Sequence, residues 1–168
     1  MGNNMNGRVR KLACAGLLLA AQGAAMAGVT VNYVDAEKFT DLPRIQWQRE
    51  QALEDIAEHF KELGKNLGPE RELVIDVLDV DLAGRERPNA FTTDSVRIRQ
   101  RGDWPRMHLR YSITEMGRVV AQGEARLSDR NYLQDLTTYP RTERWPAEKQ
   151  MIDDWWRKTV QPDLTARK

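Results

Sequence analysis

Leu73-Val74-Ile75-Asp76-Val77-Leu78-Asp79-Val80-Asp81-Leu82 is the most strand-like segment of the chain. It is rich in Val, Ile and Leu and apolar on both faces in its first half, the composition of a central strand covered on at least one side. Upstream, Leu53, Ile56, Ala57, Phe60, Leu63 and Leu67 recur at the spacing of one helical stripe. Lys61 and Lys65 stand where the helix dipole favours cations, and Gly64, Gly68 and Pro69 stop the helix. The spacing predicts a helix over residues 44–67. Before it, residues 29–34 alternate, with Val29, Val31 and Tyr33 on one face and Thr30, Asn32 and Val34 on the other, which predicts a first strand.

Downstream, the polar residues 84–94 form the longest loop candidate. Residues 96–101 alternate again, and Gly102-Asp103-Trp104-Pro105 breaks the pattern. Residues 107–127 read as a hairpin. A three-residue loop Glu115-Met116-Gly117, with Gly117 left-handed, opposes Ile113 to Val119, Tyr111 to Ala121, Leu109 to Gly123 and Met107 to Ala125. Every apolar residue then shares one face, whereas a one-residue slip opposes Leu109 to Glu124. Pro146 opens a second helix with Met151, Ile152, Trp155, Trp156 and Val160 inside and Asp153–Arg157 and Asp154–Lys158 as outer ion pairs. Segregated elements of this kind predict an α+β domain over residues 28–168, a mostly antiparallel sheet of about four to five strands with two main helices on one face.

The 168 residues carry a net charge of +1, which argues against a general nucleic-acid binder. Arg8, Arg10 and Lys11, the apolar run 12–21 and the small residues ending Ala25-Met26-Ala27 have the form of a secretory signal peptide, residues 1–27, cleaved after Ala27. The uncharged span 12–27 is interrupted by Gln22 and Gly23 and falls short of the ~20 apolar residues of a membrane helix, so no transmembrane segment is expected after cleavage. A periplasmic location follows as the expectation. Cys14 stands near the start of the apolar run, too early for a lipid-modified cysteine, and leaves with the leader. The exported chain then has no thiol for catalysis, disulfides or thiolate metal binding.

Asp79 and Asp81 share a strand face, and Asp79-Val80-Asp81-Leu82-Ala83-Gly84 has the outline of a calcium loop. Ala83 and Ala90 occupy the fifth and twelfth positions, where a calcium loop needs oxygen ligands. Arg97, Arg99 and Arg101 project from one face of their strand; they are either cross-strand partners for the aspartates or an anion patch of guanidinium forks. His59 and His108 lack ligand spacing, and Ser95, Ser112 and Ser128 lie in no nucleophile elbow. No phosphate loop, dinucleotide fingerprint or zinc-protease motif occurs, so no cofactor, metal ligand or catalytic residue is assigned. All five tryptophans lie in the exported region and are expected mainly in the core, but adjacent Trp155 and Trp156 cannot both point straight inward on a helix, so one of the two is expected at its edge, and an exposed indole marks a partner or ligand surface.

Taken together, residues 34–41 (Val-Asp-Ala-Glu-Lys-Phe-Thr-Asp), residues 79–84 and Asp153-Asp154-Trp155-Trp156 give the chain a form that resembles an exported bacterial family, domain of unknown function family 3016. The resemblance covers nearly all of the exported region and implies export, but it brings no activity, cofactor or catalytic residue. The leading expectation is a non-catalytic binding or interaction module of the cell envelope, with an envelope protein or small anionic ligand as partner and Arg97, Arg99, Arg101, Asp79, Asp81 and Trp156 as candidate contacts. The alternative is a metal-dependent or acid/base hydrolase centred on Asp79 and Asp81. A third is a structural subunit whose tryptophan-bearing helix packs on a partner.

Overall fold

The main sheet has four strands, β1 (Gly28–Tyr33), β2 (Arg71–Asp81), β5 (Arg106–Glu115) and β6 (Arg118–Ser128), side by side in that order, with β2 as its spine. β2 runs parallel to β1 and antiparallel to β5, which pairs antiparallel with β6. A parallel pair needs a crossover, and helix α1 (Gln46–Leu63) supplies it between β1 and β2. The computed structural model describes residues 28–88, 95–134, 138–140 and 142–165. The expected signal peptide and residues 89–94 of the expected long loop lie outside the described residues.

The fold is α+β with mostly antiparallel pairing, as the sequence predicts. Ile56 and Phe60 of α1 and Ile152 and Trp155 of α2 (Pro146–Trp155) bury against Leu73, Ile75, Val77, Leu109 and Ile113. Leu53 and Leu63 flank this core, and Leu67 closes it beyond a single 3-10 turn.

β2 is not a regular alternation. Val77 faces Leu109 and Asp79 faces the next partner residue, His108, so Leu78 is an extra, bulged residue. Leu73, Ile75 and Val77 point into the core before the bulge, and Val80 and Leu82 do so after it. The bulge therefore turns Asp79 and Asp81 away from the core, where unbroken alternation would have placed them.

The β5–β6 hairpin keeps the predicted apolar face in a different register. Ile113 faces Ala121, Tyr111 faces Gly123, Leu109 faces Ala125 and Met107 faces Leu127. Met116 and Gly117 both have positive φ, 48° and 75°, so the turn has two central residues between Glu115 and Arg118, and a bulge at Val120 restores the phase. The expected three-residue loop is thereby corrected. A shift of two residues leaves Ala121, Gly123 and Ala125 on the expected face, so apolar patterning rejects a slip of one but not of two. Val119, expected opposite Ile113, lies beyond the bulge opposite Thr114 and is exposed, and Val120 packs against the core in its place.

The expected loop 84–94 begins as a strand. β3 (Arg85–Pro88) and β4 (Ser95–Ile98) form a separate antiparallel ribbon, and β4 ends before Arg99 and Arg101. Gly84 enters the ribbon at φ +81°, and a Cβ there would lie 2.5 Å from the carbonyl oxygen of Ile98.

α2 starts with Pro146 at its first position, as predicted, and continues through a π turn (Trp156–Val160) into α3 (Gln161–Thr165). Both adjacent indoles are buried and meet edge to face with centroids 6.4 Å apart. Trp156 is thus a core residue rather than an edge residue: the core is wide enough to take both indoles, Trp155 also meeting Phe60 and Tyr111 edge to face. Asp154 pairs with both Arg157 and Lys158, while Asp153 points to His59 and does not form the expected pair with Arg157.

Glu148, the third residue of α2, is 2% exposed. Its Oε1 accepts the Ala83 N–H at 2.7 Å, and its buried Oε2 has no partner among the described residues. Burial pushes this carboxyl above the ordinary carboxylate range. The folded state holds the proton more tightly than the unfolded chain, so this contribution to stability is complete below the unfolded value of about 4.3 and lost as pH rises through the raised folded value. Glu148→Gln should therefore change the urea midpoint little at about pH 4 and raise it near neutral pH; equal differences at the two pH values would show that the carboxyl is not held up. In the same assay Gly84→Ala should cost about 2 kcal/mol or more, and Gly117→Ala, in open space, about 1 kcal/mol.

Candidate binding site

A cleft of about 210 Å³ opens between the start of α1, the β3–β4 ribbon and the approach to α2. It is lined by Pro43, Trp47, Gln48, Gln51, Glu86, Arg97, Arg144 and Trp145. Trp47 lies in the first turn of α1, off the helix's apolar stripe, and its side chain is 60% exposed. Trp145 caps α2 in the left-handed region at φ 56°, and its indole N–H donates to Asp55 at 3.1 Å. Asp55 also lies 3.6 Å from Arg144. Glu86 of β3 accepts the backbone N–H of Arg44.

Arg97 forms part of the floor. Its Nη1 donates to Asp41 at 2.7 Å and to the Gly84 carbonyl at 3.0 Å, and its guanidinium lies 5.9 Å from the centroid of Trp145. Its Nη2 is buried and has no partner among the described residues. A buried donor left unsatisfied costs about 1–3 kcal/mol, and with its surface covered this nitrogen is not open to a ligand in the cleft. On β4 the usual arrangement is inverted: Arg97 is mostly buried while Val96 and Ile98 are about half exposed.

An ion-pair network holds this floor to the main sheet. Asp41 forms a short parallel bridge with Asp81, its N–H donating to the Val80 carbonyl. Asp81, turned outward by the bulge yet nearly buried, accepts from Arg85 at 3.0 Å and from Arg106 at 2.7 Å. Arg85 also reaches Asp41 at 3.3 Å and Asp103 at 3.5 Å. Asp79 places its two oxygens 2.7 Å from the backbone N–H and the hydroxyl of Thr40. The carboxylates read from the sequence as a possible metal or acid/base pair therefore have all four oxygens engaged in holding the fold. Among the described residues no group of three His, Cys, Asp or Glu is placed to share a metal ion.

Of the three candidate arginines only Arg97 lines the cleft, and its carboxylate partner is Asp41, not Asp79 or Asp81. Arg99 and Arg101 follow the end of β4 and are exposed, so the three do not form one face of a strand. Trp156 lies in the core, away from this site. His59 is more engaged than a helix-edge position suggests: its Nε2 is 2.8 Å from Asp153, and the Tyr139 hydroxyl donates to the other Asp153 oxygen at 2.6 Å. Burial, reinforced by Asp153, pushes the Tyr139 hydroxyl well up. This cluster clamps α1 to α2. Glu86 and Arg144 carry no signal in the sequence. Trp47 and Trp145 stand out there only as two of five tryptophans, and of these Trp47 is the exposed indole.

Removing the Asp81 carboxylate by Asp81→Ala leaves Arg85 and Arg106 facing each other and should lower stability by about 2–4 kcal/mol in urea denaturation. Asp79→Ala, which loses two hydrogen bonds to Thr40, should cost about 1–2 kcal/mol. Wild-type stability in both variants, with loss of divalent-ion binding, would restore the metal or acid/base reading.

No curated protein and no solved structure matches the chain. A family model described as protein of unknown function (DUF3016) matches residues 27–158, most of the sequence and every element that builds the cleft, and the chain belongs to that family.

Proposed function

We propose that the protein is exported to the periplasm and acts there as a non-catalytic binding module of the cell envelope, with the cleft between Trp47, Arg97 and Trp145 as its site for a small anionic ligand. The observation that carries this reading is the cleft itself, which gathers the exposed indole of Trp47, Trp145 and the arginines Arg97 and Arg144 around one opening. The charged groups best suited to acid/base work, Asp79, Asp81 and the His59–Asp153 pair, are engaged in holding elements together, which supports binding over catalysis. Export rests on the basic, apolar and small-residue pattern of residues 8–27. No described helix is long and apolar enough to cross a membrane.

Two measurements test the reading. The chain expressed in a two-membrane bacterium should be recovered from the periplasm with Gly28 at its N-terminus; recovery from the cytoplasm with the leader intact would overturn export. Thermal unfolding of the purified protein against a panel of small anions should show a saturable rise of the midpoint that Trp47→Ala abolishes, since a ligand that binds only the native state stabilises it. A midpoint unmoved by every anion would overturn the cleft as an anion-binding site.

A further inference from the structure

We infer that the free edge of β6 pairs antiparallel with β6 of a second copy of this chain, about a twofold axis at Ala125, a self-association that stands apart from the cleft. β6 is an outer strand of the main sheet, 11 residues long against six for β1 at the other edge. An edge strand presents a row of unpaired N–H and C=O groups, and monomeric proteins guard it with Pro, Lys, inward charges, a bulge or a covering segment. From Ala121 to Ser128 there is no Pro or Lys, and the positions on the core side are Ala121, Gly123, Ala125 and Leu127. The bulge at Val120 lies outside this stretch.

The described chain also leaves the edge uncovered. Beyond β6 the Asp129 N–H donates to the Pro105 carbonyl and the Tyr132 hydroxyl to the Gln100 carbonyl, so the chain departs on the β5 side. A groove lined by Ala125, Leu127, Met151 and Trp155 separates β6 from α2 and keeps the helix clear of the edge.

Charge selects the register. An axis at Glu124 or Arg126 sets like charges face to face, one at Ala121, Gln122 or Gly123 draws the Val120 bulge into the ladder, and one at Leu127 pairs little more than the strand end. The axis at Ala125 gives a regular ladder over residues 122–128. It opposes Glu124 to the partner's Arg126 and Gln122 to the partner's Ser128, each contact made twice by symmetry.

The outer face of the sheet extends this match. In one row Asp76 stands opposite Arg110 and Arg110 opposite Glu124; in the next Asp79 stands opposite His108 and His108 opposite Arg126. The first row reaches the edge on a carboxylate and the second on a guanidinium. Pairing about Ala125 abuts each row on the other row of the partner, so opposite charges meet at the join. Glu124 already accepts from His108, whereas exposed Arg126 has no hydrogen bond or ion pair among the described residues, so Arg126 gains most.

Sedimentation of the purified protein over a dilution series tests the inference. A reversible monomer–dimer equilibrium should appear, with dimer present at about 100 μM chain. Arg126→Glu, at an exposed side chain, should weaken the dimer by about tenfold or more, since it opposes carboxylates at both symmetric contacts, and adding Glu124→Arg should restore most of the loss. Cross-linking reads the register independently of these charges. In a Cys14→Ala background, Ala125→Cys should form an intermolecular disulfide on oxidation, because directly opposed residues have Cα atoms about 4.5–5.5 Å apart. Gln122→Cys, about 20 Å from its own copy in this register, should not. A monomer throughout the series, a dimer equally tight in Arg126→Glu, or cross-linking no faster with Ala125→Cys than with Gln122→Cys would each overturn the inference, and the anion panel would decide the cleft reading separately.

Discussion

The bulge at Leu78 is the constraint on which the rest of the molecule depends. β2 and the residue that follows it carry apolar residues at 73, 75, 77, 80 and 82, and no unbroken alternation can bury all five on one side. One extra residue in β2 reconciles them. The same step rotates Asp79 and Asp81 to the opposite face, next to Thr40, Arg85 and Arg106, which satisfy their oxygens. Two carboxylates in the core would have cost several kcal/mol each after relaxation.

Once Asp81 is turned outward, the network around it joins the main sheet to the β3–β4 ribbon. Asp41 stands beside Asp81 through a backbone bridge and receives Arg97 from β4, while Arg85 spans Asp41, Asp81 and Asp103. Asp81 is nearly buried while Arg85 and Arg106 are about two-fifths exposed, so the pairs escape much of the desolvation penalty of fully buried ions. The arrangement directs one arm of the Arg97 guanidinium to Asp41 and to the Gly84 carbonyl and leaves the other without a partner among the described residues.

The interface between helices follows a related logic. Two consecutive indoles at the end of α2 and the start of the π turn lie in the core, and Asp153 on α2 faces His59 and Tyr139. These contacts fix α2 against α1 and so fix Trp145, the residue that caps α2 and forms one wall of the cleft. Asp55 completes the link, since it projects from α1 and accepts the Trp145 indole N–H.

The sequence by itself determined the α+β class, the alternation of β1, the stripe of α1, Pro146 as the start of α2 and the apolar face of the β5–β6 hairpin. Each of these follows from periodicity or from one residue's backbone preference, which are local properties. Tertiary structure alone decided the hairpin register, the strand within the expected loop, the burial of Trp156 and the partners of Asp79, Asp81 and Arg97. A two-residue shift leaves the hydrophobic pattern unchanged, a bulge is invisible until its partner strand is in place, and a carboxylate takes whichever donors folding brings within reach. The cleft belongs to this second class apart from Arg97, which the sequence offers as a candidate. Glu86 and Arg97 face each other in the ribbon, but Trp47 and Trp145 are far from them along the chain, and packing of α1, the ribbon and α2 makes the four neighbours.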